Sequence, residues 1–135
     1  MSAQLGHWYL TDTLQVSPRL VLSHVEALSA LQALLAATED VGIKHEDVNG
    51  AIHPDGVGVW SFVLFDSVPG GAGHARRLRE VLPTLFSAAR GRVEHCDCGE
   101  DTSCYGCLRS YRNQSDHDKL ERRLALAVFD QLGVQ

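Results

Sequence analysis

The chain contains no apolar stretch near the roughly eighteen residues that a membrane-crossing helix requires. Its opening, Met-Ser-Ala-Gln-Leu-Gly-His-Trp, lacks the basic region and apolar block of a secretory signal, so the expected location is the cytoplasm. Internal repeats, low-complexity tracts and linkers are also missing. Basic side chains are scarce in the first half. Residues 1–75 hold two, Arg19 and Lys44, against eight acidic ones, for −6; residues 76–135 hold ten against nine, for +1, which together give −5. A domain that grips nucleic acid alone is usually basic, so any such contact here is local, or a larger partner supplies the charge. There is no Gly-Lys-Ser/Thr phosphate loop, no Asp-Glu-x-His box, no dinucleotide fingerprint, and no His-Asp-Ser or Cys-His arrangement. Nothing in the chain carries ATPase chemistry, and no catalytic residue is assigned.

What is present suits one globular domain spanning 1–135: 44% of residues are hydrophobic and 21% charged, enough to build a core at this length. His7 to Val16 reads as a strand ended by Pro18. Ser23 with Glu26 forms a capping box ahead of a helix marked by Leu28, Leu31, Leu34 and Leu35, with Gly42 as its stop. Residues 43–55 are polar and rich in turn signals, with room for a short strand or helical turn. Val57 to Phe65 is nearly continuously apolar and is expected to be a central strand covered on both faces. A glycine-rich loop leads into a helix with Ala75, Leu78, Leu82, Leu85, Phe86 and Ala89 on one face. Pro83 kinks this helix or starts a second short one, and Gly91 is its expected stop. The last helix is expected from Ser115 or Asp116, with a stripe of Leu120, Leu124, Val128 and Leu132. The fold class is therefore mixed α/β (α+β): a small sheet with packed helices and a four-cysteine knuckle between the last two.

All four cysteines fall within residues 96–107, as Cys96-x-Cys98-x5-Cys104-x2-Cys107. Two close pairs can supply the tetrahedral corners that Zn²⁺ needs, at about 2.3 Å from each sulfur. A reducing cytoplasm disfavours the alternative of two disulfides. Free thiols and an iron–sulfur cluster are the other readings. Gly99 and Gly106 sit where the turns are expected to need unusual backbone angles. Four thiolates leave no open position for water, so the metal is structural. His95 could substitute as a ligand or lie at the surface.

The loop Asp66-Ser-Val-Pro-Gly-Gly-Ala-Gly73 runs from the end of the central strand into a helix, where α/β folds place ligands. Asp66, Pro69, Gly70, Gly71 and Gly73 therefore form a candidate ligand or partner loop with exposed N–H groups. Equally, Asp66 could only cap the helix and the glycines only allow close packing. Arg76, Arg77, Arg109 and Arg112 are candidate nucleic-acid contacts. With Arg79, Arg90, Arg92, Lys119, Arg122 and Arg123 they would form a basic patch if their elements pack side by side; solvated helix faces are the plain alternative. Tyr105 and Tyr111 could stack on bases or pack over the knuckle. Trp8 and Trp60 read as core or interface residues.

Three motifs together resemble a known family: Thr11-Asp12-x-Leu14; Phe65-Asp66-Ser-Val-Pro-Gly-Gly-Ala-Gly73; and Cys96 through Cys98, Cys104 and Cys107-Leu108 to Tyr111-x-Asn113-Gln114. They are similar to the zinc-binding C-terminal domain of mitomycin-repair-type DEAD/DEAH helicases, a former domain of unknown function also found in phage-defence helicase proteins. The resemblance covers nearly the whole chain. It implies that Cys96, Cys98, Cys104 and Cys107 bind zinc, and that the chain is an accessory to a superfamily 2 DNA motor, as a fragment of it or a free-standing copy beside it. Two other functions stay open: a small metal-dependent phosphodiesterase or nuclease using Asp66 and His74, and a pure protein-interaction module. Substituting Cys104→Ser is expected to lose the bound metal and lower the melting temperature. Elemental analysis and a thermal melt check this, and unchanged values for both would exclude four-thiolate binding.

Overall fold

The computed structural model describes residues 13–67, 73–96, 98, 99, 103, 108, 117 and 119–134. Its elements are β1 (Thr13–Val16), α1 (His24–Ala36), a 3-10 turn (Ala37–Val41), a second 3-10 turn (His45–Asp47), β2 (Val48–Gly56), β3 (Val59–Asp66), α2 (His74–Glu80), α3 (Leu82–His95) and α4 (Arg122–Gln131).

Helix α1 organises the rest. Ser23 Oγ accepts from the Glu26 N–H at 3.1 Å, and Glu26 Oε1 accepts from the Ser23 N–H at 2.9 Å, which completes the capping box. Beyond Glu26 the helix carries no charge, and Ala27, Leu28, Ala30, Leu31, Ala33, Leu34 and Leu35 are all buried. A helix that is apolar on most of its circumference must be surrounded. The sheet covers one side, and α3 and α4 cover the other. The chain leaves α1 through Gly42, whose φ of 84° ends the first 3-10 turn, and Ile43 then enters the core.

The three strands are antiparallel in the order β1-β3-β2. As expected, the apolar segment is the central strand. Its helix-side face, Phe62, Leu64 and Asp66, is buried; on the other face Val63 and Phe65 are half-buried, while Ser61 is fully buried. Cover on the second face is partial among the described residues, while the first packs on helices in this antiparallel sheet. The polar stretch before it forms most of β2, an edge strand long enough to pair with nearly all of β3. Pro54 is tolerated there, beside a bulge between Pro54 and Gly56. Of the expected first strand, Thr13–Val16 is present, and His7 to Asp12, with Trp8, lie outside the described residues.

Pro83 starts a new helix, and that helix is long rather than short. Val81, at φ −112° and ψ 21°, separates α2 from α3, and Pro83 occupies the first turn, where its missing N–H leaves no bond unmade. Gly91 is not a stop. Helix α3 runs on to His95 because Val93 is fully buried and Arg92 is held by Asp40, at 2.7 and 3.2 Å. The last helix begins at Arg122, later than Ser115 or Asp116. Glu121 is extended, and its N–H donates to Ser29 Oγ of α1 at 3.2 Å. Ala125, Val128 and Phe129 then face the core, with Phe129 edge-on to Phe86 of α3. Among the described residues no helix is long and apolar enough to cross a membrane.

Gly50 lies where β2 passes beneath α1: a Cβ there would come within 3.0 Å of Leu31 Cδ1, Leu64 Cδ2 and the Val63 carbonyl oxygen. Gly50→Ala is expected to destabilise the fold by about 1–3 kcal/mol through crowding. Denaturant unfolding reads this out, and Gly56→Ala, in open space, serves as the comparison.

Candidate metal centre

Cys96 directly follows the last residue of α3, in extended backbone at φ −72° and ψ 140°. Cys98 turns back beside it, and the two sulfurs lie 3.5 Å apart. That is far beyond the about 2.05 Å of a disulfide. It is close to the about 3.8 Å separating two ligands of a tetrahedral zinc thiolate. Both side chains are half-buried against the main core. The two residues thus have the donor chemistry and the spacing of half a zinc site. Cys104 and Cys107 lie outside the described residues, as does Gly106; their neighbours Ser103 and Leu108 are buried. Among the described residues no group of three or more metal-ligating side chains forms. Among the described residues, Gly42, Gly58, Gly73 and Gly133 have positive φ. His95 is exposed.

The pair is tied to the last helix by Arg122. Its Nη1 donates to the Val93 carbonyl at 2.7 Å and the Glu94 carbonyl at 3.4 Å, while Nη2 donates to the Cys98 carbonyl at 2.9 Å. One guanidinium therefore caps the C-terminus of α3, where carbonyls otherwise lack partners, and fixes the backbone of the knuckle. The sequence reading misses this role, although a signal exists. Helix α4 opens on Arg122-Arg123, and cations at a helix N-terminus oppose its macrodipole, so another interaction must hold them there.

The second candidate is the strand-end loop. Alternation along β3 puts Asp66 on the helix side with Phe62 and Leu64, and only 3% of it is exposed. Asp66 Oδ1 accepts from the Ala75 N–H at 3.0 Å, so the carboxylate caps the first turn of α2 from across the loop. Gly73 starts that helix at φ 82°. His74 Nε2 is 3.7 Å from Asp47 Oδ2, and His74 Nδ1 is buried with no hydrogen-bond partner among the described residues. Pro69, Gly70 and Gly71 lie outside the described residues.

The basic patch is divided. Arg90 binds Asp130 of α4 at 3.0 and 3.1 Å and also pairs with Glu94; Arg92 binds Asp40; Arg122 binds backbone. Hydrogen bonding to Asp130 raises the Arg90 pKa, and hydrogen bonding to Asp40 raises that of Arg92, so both stay charged at any ordinary pH. These arginines are internal links. Arg76, Arg77 and Arg79 are exposed on α2 and form no ion pair with the described residues. Arg109, Arg112, Tyr105 and Tyr111 lie outside the described residues. Trp60 is half-buried and stands edge-on to His24.

Comparison with known proteins adds a family and a fold. Residues 29–108, more than half of the chain and inclusive of all four cysteines, match the model of the MrfA Zn-binding domain. The Druantia protein DruE of Escherichia coli (strain UMEA 4076-1) is 35% identical over 66 residues, covering 49% of this chain and 4% of DruE. The crystal structure of the DUF1998 helicase MrfA bound to DNA superposes with a TM-score of 0.55 at 21% identity, covering 80% of this chain and 14% of that one. The structure of MrfA bound to DNA and AMPPNP gives 0.58 at 19% identity, covering 89% and 15%. The fold is shared, and the chain spans only a small part of each of these proteins.

Asp66→Ala is expected to lower stability by about 1–3 kcal/mol by leaving the buried Ala75 N–H unpaired. Asp66→Asn, which keeps an acceptor oxygen, should recover most of it. Thermal melts of both check the capping role, and equal losses would argue against it.

Proposed function

The chain belongs to the MrfA Zn-binding domain family, and on that footing we propose that it is a structural-zinc accessory domain serving a superfamily 2 DNA helicase in repair or phage defence. It acts as a segment of the helicase chain or as a separate partner, and performs no catalysis of its own. The observation that carries this reading is the Cys96–Cys98 pair, with sulfurs 3.5 Å apart at the end of α3 and its backbone held by α4. Cys104 and Cys107 complete the ligand set. With four thiolates the zinc serves as a brace between the last two helices.

The alternative of a nuclease built on Asp66 and His74 is weakened by the use of Asp66 Oδ1 as a helix cap. Protein contact is favoured by an apolar groove of about 510 Å³ that includes Val16, Pro18, Leu82, Phe86, Leu132 and Val134, which suits docking against a motor. For DNA, the exposed guanidiniums of Arg76, Arg77 and Arg79, clustered on α2, are able to meet a phosphate backbone. Arg109 and Arg112 would add to them.

Capture from the native host with the zinc-loaded chain as bait is expected to recover a DEAD/DEAH ATPase, or to show this sequence as the tail of one. In the captured assembly, replacing Arg76, Arg77 and Arg79 by Glu should weaken DNA binding and flatten its log–log salt dependence by about three, at roughly 0.9 for each phosphate no longer neutralised. Recovery of no ATPase would remove the helicase reading. An unchanged salt slope would remove these three arginines from the DNA interface.

A further inference from the structure

We propose that Arg122 is the positioning residue of the metal centre: it fixes the backbone of the Cys96–Cys98 half-site and supplies the positive charge against which the zinc thiolate sits. The inference rests on the four-cysteine zinc reading but concerns a residue beyond the matched family segment, which ends at residue 108.

Three observations carry it. The first is reach. A single side chain from the first turn of α4 bonds the carbonyls of Val93 and Glu94 at the end of α3, and also the carbonyl of Cys98. The helix end before Cys96 and the backbone of Cys98 are therefore held in one frame, which sets how the two sulfurs face each other. Only a planar guanidinium fork can span these acceptors; a lysine ammonium is a point donor.

The second is charge. Zn²⁺ with four thiolates carries a net charge of about −2. Glu94, two residues before Cys96, adds a further negative charge. Such a centre, half-buried, is favoured by a nearby fixed cation, and Arg122 is held on the Cys98 carbonyl. The unfavourable place of Arg122 at the positive end of α4 is thereby offset.

The third is an unused donor. Arg122 Nε is buried and has no hydrogen-bond partner among the described residues, although both terminal nitrogens are engaged. Buried donors are nearly always satisfied. A thiolate of the metal-loaded knuckle is an acceptor of the right charge, and an N–H donor to a zinc thiolate stabilises the bound form.

The test uses the full chain and reads zinc affinity by chelator competition, with the thiolate absorption of the cobalt-substituted form as a second signal. Wild type is expected to take up one metal per chain. Arg122→Met should still bind one metal but about 10- to 100-fold more weakly, with an altered cobalt spectrum. Arg90→Gln, which cuts the link between α3 and Asp130 without touching the knuckle, should stay near wild type. Wild-type affinity in Arg122→Met, or an equal loss in Arg90→Gln, would overturn the proposal. If Arg122→Met does not fold, Arg122→Lys carries the test. It keeps the charge but cannot bridge Val93 and Cys98, so it should bind more weakly than wild type, and equal binding would overturn the positioning role. A wild-type chain that takes up no metal would instead overturn the four-cysteine reading on which this rests.

Discussion

Helix α1 has almost no face that can be left in water, and the architecture follows from that constraint. With Ala and Leu around most of its circumference, the helix must be enclosed rather than merely packed on one side. The antiparallel sheet closes one flank, and α3 closes part of the other. The remaining flank is closed by α4, which arrives only after a polar, cysteine-bearing excursion over residues 96–121. Of the described residues of that stretch, Leu108 and Leu120 are buried in the core. Ordering a connection of this length has an entropic cost that must be offset by contacts or by a bound ion. The Arg122 bridge ties the start of α4 to the end of α3 and to Cys98, and the zinc proposed above would add a second tie. The proposed zinc would in this way also serve the enclosure of α1.

The sequence was most legible where structure is decided by neighbours in the chain. Ser23 and Glu26 form their capping box three residues apart, Gly42 ends its turn with the backbone angle that favours glycine, and Pro83 breaks the helix at a position its ring permits. It was least legible where distant interactions override local signals. Gly91 has the look of a terminator, but Arg92 and Val93 are held by Asp40 and the core, and the helix continues through it. Ser115 and Asp116, which lie outside the described residues, read as the start of the last helix, but α4 starts at Arg122, where the Glu121 N–H meets Ser29 on α1.

The site was partly legible for the same reason. The four cysteines announce a metal by type and spacing, and the described pair has the separation that a shared ion requires. Asp66 was readable only as one of two things, a ligand residue or a cap, and its bond to Ala75 supports the second. The arginines could be counted in the sequence but not sorted. Arg90, Arg92 and Arg122 have acceptors contributed by other elements, so they tie helices together, while those on α2 stay available for a partner. A chain that is acidic overall can thus still present a short cationic face.

The bond between Glu121 and Ser29 spans 92 positions. On a ribosome adding about 5–20 residues per second, roughly 5–20 seconds separate the synthesis of these two partners. During that interval the helix around Ser29 has emerged or is emerging, while the element that shields its last flank does not yet exist. The nascent polypeptide therefore carries an apolar helix whose last cover is made only when α4 has been synthesised.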